Sequence, residues 1–126
     1  MALGVSLHDQ AVASAGTRAL IALDSAVPPL LTRDELRNRA GITGRYLTDL
    51  VEREVLIEIP PFWTTPDRAK AWVATVTATI SSTPSGVTTS GLRKALGLSR
   101  RYTLALLEWC DSQGITVRND NLRRLI

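Results

Sequence analysis

The chain has few side chains of the kinds that catalyse reactions or bind metals. It has one Cys, Cys110, and one His, His8, so it can form no internal disulfide and cannot assemble a four-ligand zinc site from Cys and His. A lone His also leaves Ser and Cys nucleophiles without their usual general base. Carboxylate pairs such as Asp34 and Glu35 fit helix capping instead. We therefore predict that the protein is not an enzyme and has no catalytic residues, metal site or cofactor.

Basic side chains are the remaining candidates for a functional site. The formal net charge of the 126 residues is only +3, but the charge is unevenly distributed. Residues 1–62 carry six basic and eight acidic side chains, whereas residues 63–126 carry nine basic and four acidic ones. A polyanion would dock on the C-terminal half, because each neutralised phosphate releases counterions and adds to affinity.

The chain contains an internal repeat. A shift of 56 residues aligns residues 31–52 with residues 87–108, with eight identities in 22 ungapped positions. The identical pairs are Thr32 and Thr88, Leu36 and Leu92, Arg37 and Arg93, Gly41 and Gly97, Arg45 and Arg101, Tyr46 and Tyr102, Leu50 and Leu106, and Glu52 and Glu108. We interpret the chain as two tandem copies of one unit, 1–62 and 63–126.

Each copy has the pattern of three helices. A first helix, with Val12, Ala15, Ala19, Leu20 and Leu23 on one face, precedes Pro28-Pro29, and its counterpart begins at Thr65-Pro66. The second helix begins at a capping box, from Thr32 to Glu35 in the first copy, and ends at Gly41 or Gly97. The third helix follows an N-cap at Thr43 or Ser99 and spans residues 44–54 or 100–113.

A β-hairpin follows the third helix. In the second copy, β-prone segments flank the turn residues Asn119-Asp120-Asn121, and in the first copy residues 55–59 precede Pro60-Pro61. Three helices and a hairpin make a winged helix. The predicted fold is therefore mostly α with small β-hairpins, in two tandem winged-helix units. Trp63 lies between the units and is expected to pack at their junction.

One segment resembles a known family. Gly97-Leu98-Ser99-Arg100-Arg101-Tyr102, continued by Leu106-Leu107-Glu108 and by Asp111-Ser112-Gln113-Gly114-Ile115-Thr116, is similar to the last winged helix of the bacterial selenocysteine-specific elongation factor. The resemblance implies that the final unit binds the mRNA hairpin that recodes a stop codon as selenocysteine. It also implies RNA contacts from Ser99, Arg100 and Arg101 at a helix start and from Arg118, Arg123 and Arg124 on the wing.

The sequence departs from this family in three places. Val117 stands where the family has the first of two basic residues entering the wing, and the wing turn lacks Gly. No Gly-rich phosphate loop followed by Lys-Ser or Lys-Thr occurs, so we do not expect the chain to bind GTP as the whole factor would.

The candidate nucleic-acid site combines the helix start with the wing. Arg100 and Arg101 oppose the helix dipole by a few tenths of a kcal/mol, roughly, which favours a ligand-driven reason for their presence. Alternation along the hairpin is expected to expose Arg118 and one of the two later Arg residues, and Ser99 and Thr103 are expected to reach an unstacked base. The predicted contacts are Arg93, Lys94, Ser99, Arg100, Arg101, Thr103, Arg118, Asn119, Arg123 and Arg124.

The favoured function is a non-catalytic module that binds a structured mRNA hairpin in selenocysteine-specific translation elongation. A DNA-binding winged-helix regulator is the first alternative, and a protein-interaction scaffold is the second, since the acidic first unit favours protein contact. No apolar run is long enough to span a membrane and no signal-peptide pattern begins the chain, so we expect a cytoplasmic protein with no membrane partner.

Overall fold

The computed structural model describes residues 6–126, so the first five residues of the predicted unit 1–62 lie outside the described part. The chain divides into two compact units, one ending at Pro66 and one from Asp67 to Ile126. Each unit contains three helices and one three-stranded antiparallel sheet. The predicted fold class, two tandem winged helices with small β-hairpins, is confirmed.

The elements follow the same order in both units. The first unit contains α1 (Leu7–Asp24), β1 (Leu31–Thr32), α2 (Arg33–Ala40), α3 (Gly44–Glu52), β2 (Ile57–Ile59) and β3 (Phe62–Thr64). The second contains α4 (Pro66–Ser81), β4 (Val87–Thr88), α5 (Thr89–Leu96), α6 (Arg100–Ser112), β5 (Thr116–Asn119) and β6 (Leu122–Leu125). The strand orders are β1-β3-β2 and β4-β6-β5.

Local capping explains where most helices begin and end. The capping box of α2 is complete, because Thr32 accepts from the Glu35 amide and Glu35 accepts from the Thr32 amide. Gly41 and Gly97 follow α2 and α5 with φ of 66° and 68°, a left-handed conformation that is strained for other residues. Thr43 and Ser99 occupy the N-cap positions of α3 and α6, but neither side chain makes the expected capping hydrogen bond.

Each unit buries its own apolar core. The first core includes Val12, Ala15, Ala19 and Leu23 of α1, which recur at helical spacing. Leu20, expected on this face, is 42% exposed because it lies beside the buried stripe. In the second unit, the buried apolar residues of α4, α5 and α6 include Ala69, Trp72, Val76, Ile80, Leu92, Leu106, Leu107 and Cys110.

The unit boundary differs from the prediction by a few residues. β3 is the central strand of the first sheet and contributes Phe62, Trp63 and Thr64. Phe62 is fully buried, and Trp63 packs against the first core and pairs with Leu31 of β1. Residues 63 and 64 therefore belong to the first unit, because the second strand of a hairpin cannot be separated from its sheet. Trp63 is a strand residue of that unit, whereas the sequence suggested a place between the units.

The two units correspond at two different offsets. Up to the start of the third helix the offset is 56 residues, so Leu31 in β1 matches Val87 in β4. These residues pair with Trp63 and Arg123, so the offset in the wings is 60. The change arises within the third helix, because α6 has 13 residues and α3 has nine, a difference of about one turn.

Candidate nucleic-acid interface

The start of α6 presents two arginines to solvent. Gly97 ends α5, Leu98 is buried, and α6 begins two residues later, so Ser99, Arg100 and Arg101 are all exposed. The guanidinium carbon of Arg101 lies 5.4 Å from the centroid of the Tyr102 ring. Within residues 6–126, no hydrogen bond or ion pair is recorded for Arg100. These exposed side chains can meet an anionic ligand with little structural rearrangement.

Two more cations lie at the end of the preceding helix. Arg93 and Lys94 occupy the last turn of α5, where Arg93 is half-buried and Lys94 is exposed. Cations in this turn interact favourably with the helix dipole, so their presence has a local structural reason as well. The short connection through Gly97 brings the end of α5 and the start of α6 together in sequence and in the fold.

The wing carries its exposed arginines on opposite faces of the hairpin. Arg118 pairs with Arg123 across β5 and β6, and Val117 pairs with Arg124. Directly opposed residues share a sheet face, so Arg118 lies on the face of Arg123 and Arg124 on the other. Arg118 and one later Arg, Arg124, are exposed as predicted, but they do not share one solvent face as the alternation had implied. Their Nε atoms donate to the carbonyl oxygens of Asp120 and Ser85, respectively.

Arg123, predicted to contact nucleic acid, is instead a buried structural residue. Its side chain is 3% exposed and forms an ion pair with Asp111 of α6 at 2.9 Å between Nη2 and Oδ2. Nη1 also donates to the Thr89 hydroxyl at the start of α5. The guanidinium therefore joins the wing to both helices, and ligand binding there would require this pair to break.

Asp111 is the central acceptor of this network. Its Oδ1 accepts from the Thr116 hydroxyl at 2.6 Å as well as from Arg123. Burial raises the pKa of Asp111, but the hydrogen bonds from Arg123 and Thr116 and the Arg123 charge outweigh it, so the net pKa lies below its ordinary value. Sequence reasoning missed this role. The sequence offered one signal for this role: an acidic residue near the C-terminal end of a helix, where the helix dipole disfavours a negative charge.

Thr103, the other predicted contact that the structure contradicts, is fully buried. Its hydroxyl donates to the Ser99 carbonyl oxygen at 2.8 Å, one turn back along α6. The side chain points into the core because residue 103 lies on the same helix face as Leu106, Leu107 and Cys110. It cannot reach a base while α6 is folded. Burial also raises the pKa of Cys110 to about 11, so this thiol is not a nucleophile at neutral pH.

We refer to the remaining predicted residues together as the basic surface, although Arg118 and Arg124 lie on opposite faces of the wing. Its members are the exposed or half-exposed polar side chains at the junction of α5 and α6 and on the wing: Arg93, Lys94, Ser99, Arg100, Arg101, Arg118, Asn119 and Arg124. The Arg123–Asp111 ion pair joins the wing to α6. The hairpin register then sets the positions of the other wing residues relative to Arg123.

The first unit has only part of this charge at the equivalent positions, because Arg37 matches Arg93 but Asn38 stands where the second unit has Lys94. Gly44 and Arg45 correspond to Arg100 and Arg101 at the helix start. In the wing, Glu58 pairs with Trp63 as Arg118 pairs with Arg123, so Glu58 stands where the second unit has Arg118. By the same register, Thr64 corresponds to Arg124. The junction of the second and third helices is thus less basic in the first unit than in the second, and the first wing carries Glu58 where the second carries Arg118.

No cluster of three or more His, Cys, Asp or Glu residues within residues 6–126 could hold a metal ion. No helix in this part of the chain is both long and apolar enough to cross a membrane.

Architecture and surface together define a tandem winged-helix protein whose second unit carries the basic surface. Residues 79–125 match a family model described as the winged helix of elongation factor SelB. The resemblance of the second unit to a winged helix of the selenocysteine-specific elongation factor is thereby confirmed. The comparison with curated proteins found no match.

Two solved structures share the fold of most of the chain. The bacterial selenocysteine-specific elongation factor EF-Sec matches 96% of this chain with a TM-score of 0.73 and 21% identity. The match covers 20% of that chain, so the present chain spans about one fifth of the factor's length. The mRNA-binding domain of SelB from E. coli, solved in complex with SECIS RNA, has a TM-score of 0.67 and 17% identity. That match covers 86% of this chain and 96% of the domain.

Proposed function

We propose that the chain is a non-catalytic module that binds a structured mRNA hairpin, as part of selenocysteine-specific translation elongation. The second unit makes the RNA contact, through the basic surface. A cytoplasmic location goes with this role in translation.

One observation carries the proposal. The segment that matches the SelB winged-helix family, residues 79–125, is also the segment that carries the basic surface. The mRNA-binding domain of SelB, of which 96% is covered by the match to this chain, was solved in complex with SECIS RNA. The charge distribution and the family match thus both support the second unit as the RNA-binding unit.

The chemistry of the surface suits an RNA hairpin. Arg100 and Arg101 can contact phosphates as the helix start approaches the backbone, and the exposed Ser99 hydroxyl can hydrogen-bond an unstacked base. The wing adds Arg118 on the face that packs towards α6. Loop bases and helix shape supply specificity, because the major groove of A-form RNA is too narrow for a helix to enter.

The proposal is tested by titrating a labelled SECIS-type RNA hairpin, and a DNA duplex of equal length, with the protein at physiological salt. We expect the hairpin to bind more tightly than the duplex. The double variant Arg100→Ala with Arg101→Ala is expected to bind the hairpin at least about tenfold more weakly, since two charge-assisted contacts are lost.

A matched control is available in the repeat. Arg45→Ala removes the counterpart of Arg101 from the first unit and is expected to leave hairpin affinity unchanged. Both variants change exposed side chains, so their circular dichroism spectra are expected to match the parent. Equal affinity for hairpin and duplex, or undiminished hairpin binding by the double variant, would contradict the proposal.

A further inference from the structure

The first unit contains an open cleft between α3 and its wing. The cleft has a volume of about 490 Å³ and is lined by Leu47, Thr48, Val51 and Glu52 of α3, by Glu58 and Trp63 of the wing, and by Arg33 and Gly44. All of these residues belong to the first unit. Its volume lies within the range of protein pockets that bind ligands.

The first unit lacks the ion pair that joins helix and wing in the second unit. The ungapped repeat aligns Val51 with Leu107, but counted back from the helix ends Val51 matches Asp111. By the register of the wings, Trp63 matches Arg123. In the second unit, Asp111 and Arg123 form this ion pair. In the first unit, Val51 and Trp63 both pack against the apolar core and remain partly exposed, so an indole and a valine line the cleft.

Two carboxylates line the cleft together with Trp63. Glu58 is directly opposite Trp63 across β2 and β3, so the two side chains share a sheet face. Glu52, in the last turn of α3, lines the same cleft. Both carboxylates are exposed, and within residues 6–126 no hydrogen bond or ion pair is recorded for either. Carboxylates beside an aromatic face form a favourable environment for a cation.

We propose that this cleft binds a basic segment of a partner protein, with an Arg or Lys side chain over Trp63 and between Glu52 and Glu58. The charge of the site disfavours a nucleic-acid backbone, because Glu58 occupies the wing position where the second unit has Arg118. A protein segment with exposed Arg or Lys side chains complements the charge of Glu52 and Glu58.

Arg33 determines the orientation of the bound segment in the cleft. Its guanidinium lies against Gly44, where a Cβ would overlap it, so this end of the cleft carries a hydrogen-bond donor and a positive charge. A basic side chain cannot bind at that end. An extended segment would direct a backbone carbonyl or an acidic side chain towards Arg33 and its cation towards Glu52 and Glu58.

The proposal is tested by NMR titration with a short synthetic peptide of alternating arginine and glycine. We expect the indole N–H signal of Trp63 and the amide signals of Glu52 and Glu58 to shift. In the double variant Glu52→Gln with Glu58→Gln, the peptide is expected to bind about fivefold more weakly, because two exposed charge contacts are lost.

A control variant removes the same net charge from the same unit. Asp34→Asn with Glu54→Gln changes two exposed carboxylates outside the cleft and is expected to retain peptide affinity. An equal loss of affinity in this control, or the absence of any shift at Trp63, would overturn the proposal. A Trp63 shift caused by an RNA hairpin would also overturn it. The affinity of the Glu52→Gln, Glu58→Gln variant for the RNA hairpin is measured separately and tests the RNA-binding proposal. The present inference does not depend on that proposal.

Discussion

Asp111 and Arg123 illustrate how a buried charge is accommodated in a small domain. Arg123 is almost fully buried in the sheet of the second unit, and its guanidinium is satisfied by Asp111 and the Thr89 hydroxyl. A buried cation is tolerated only where it is paired and hydrogen-bonded. Removing one partner therefore lowers the free energy of unfolding by more than the ion pair contributes, because the other charge stays buried without a partner.

We predict that Asp111→Asn destabilises the protein. The amide still accepts from Thr116 but leaves Arg123 buried without its counter-charge. Breaking a fully buried pair costs roughly 3–5 kcal/mol. Since the Asp111 side chain is 27% exposed, the expected loss lies at or below the lower end of that range. Urea unfolding of the parent and the variant measures this loss of stability. Asp120→Asn, on the exposed wing turn, is the control, and an equal loss in both variants would show that the ion pair is not responsible.

The pH dependence of stability follows from the same residue. The folded-state pKa of Asp111 is lowered, so the stability it contributes is fully present above its unfolded-state pKa of about 4. This contribution is lost as the pH falls through the lower pKa of the folded state. We expect the stability difference between the parent and Asp111→Asn to shrink as the pH falls below about 4. Unfolding curves measured across that pH range check this, and a difference independent of pH would exclude the proposed linkage.

At the scale of elements, sequence predicted best what local chemistry controls. The cap at Thr32, the proline Pro66 at the first position of α4 and the left-handed glycines Gly41 and Gly97 define helix ends without tertiary information. β1 and β4 were not predicted, because a two-residue strand carries no periodicity and exists only through pairing with β3 and β6.

The end of the third helix offers a matched pair of substitutions. Glu54 has a φ of 61°, and Gly114, its counterpart at the wing offset, has a φ of 72°. The left-handed conformation costs a residue with a Cβ roughly 1–2 kcal/mol, part of which glycine's greater entropy in the unfolded chain offsets. We predict that Glu54→Gly stabilises the first unit by about 0.5–1 kcal/mol and that Gly114→Ala destabilises the second by a similar amount.

Thermal unfolding of the two variants measures these effects. No atom outside the local backbone lies within 4 Å of a Cβ built at Gly114, so the expected loss there is purely conformational. Opposite signs for the two substitutions would support backbone strain as the cause. Destabilisation by both would instead assign Glu54 a favourable side-chain interaction in the folded state.

At the scale of the whole molecule, the sequence identified the basic unit but not the composition of its surface. Charge counting needs no structure, so the asymmetry between the halves was visible in the sequence. Thr103 and Arg123 were misassigned because their burial depends on helix orientation and on a partner twelve residues away from Arg123. The match between Glu58 and Arg118 was hidden from an ungapped comparison, because the extra turn of α6 shifts the wing offset by four residues.

The division of roles between the units predicts a specific salt dependence. Each phosphate neutralised by the protein contributes roughly 0.7–0.9 to the slope of log affinity against log salt concentration. If Arg100 neutralises one phosphate of the RNA hairpin, Arg100→Ala lowers that slope by about this amount. Arg45→Ala removes the same charge from the first unit and is expected to leave the slope unchanged. Equal slope changes in both variants would mean that the RNA responds to the total charge of the molecule, whereas a change confined to Arg100→Ala would assign the phosphate contact to the second unit.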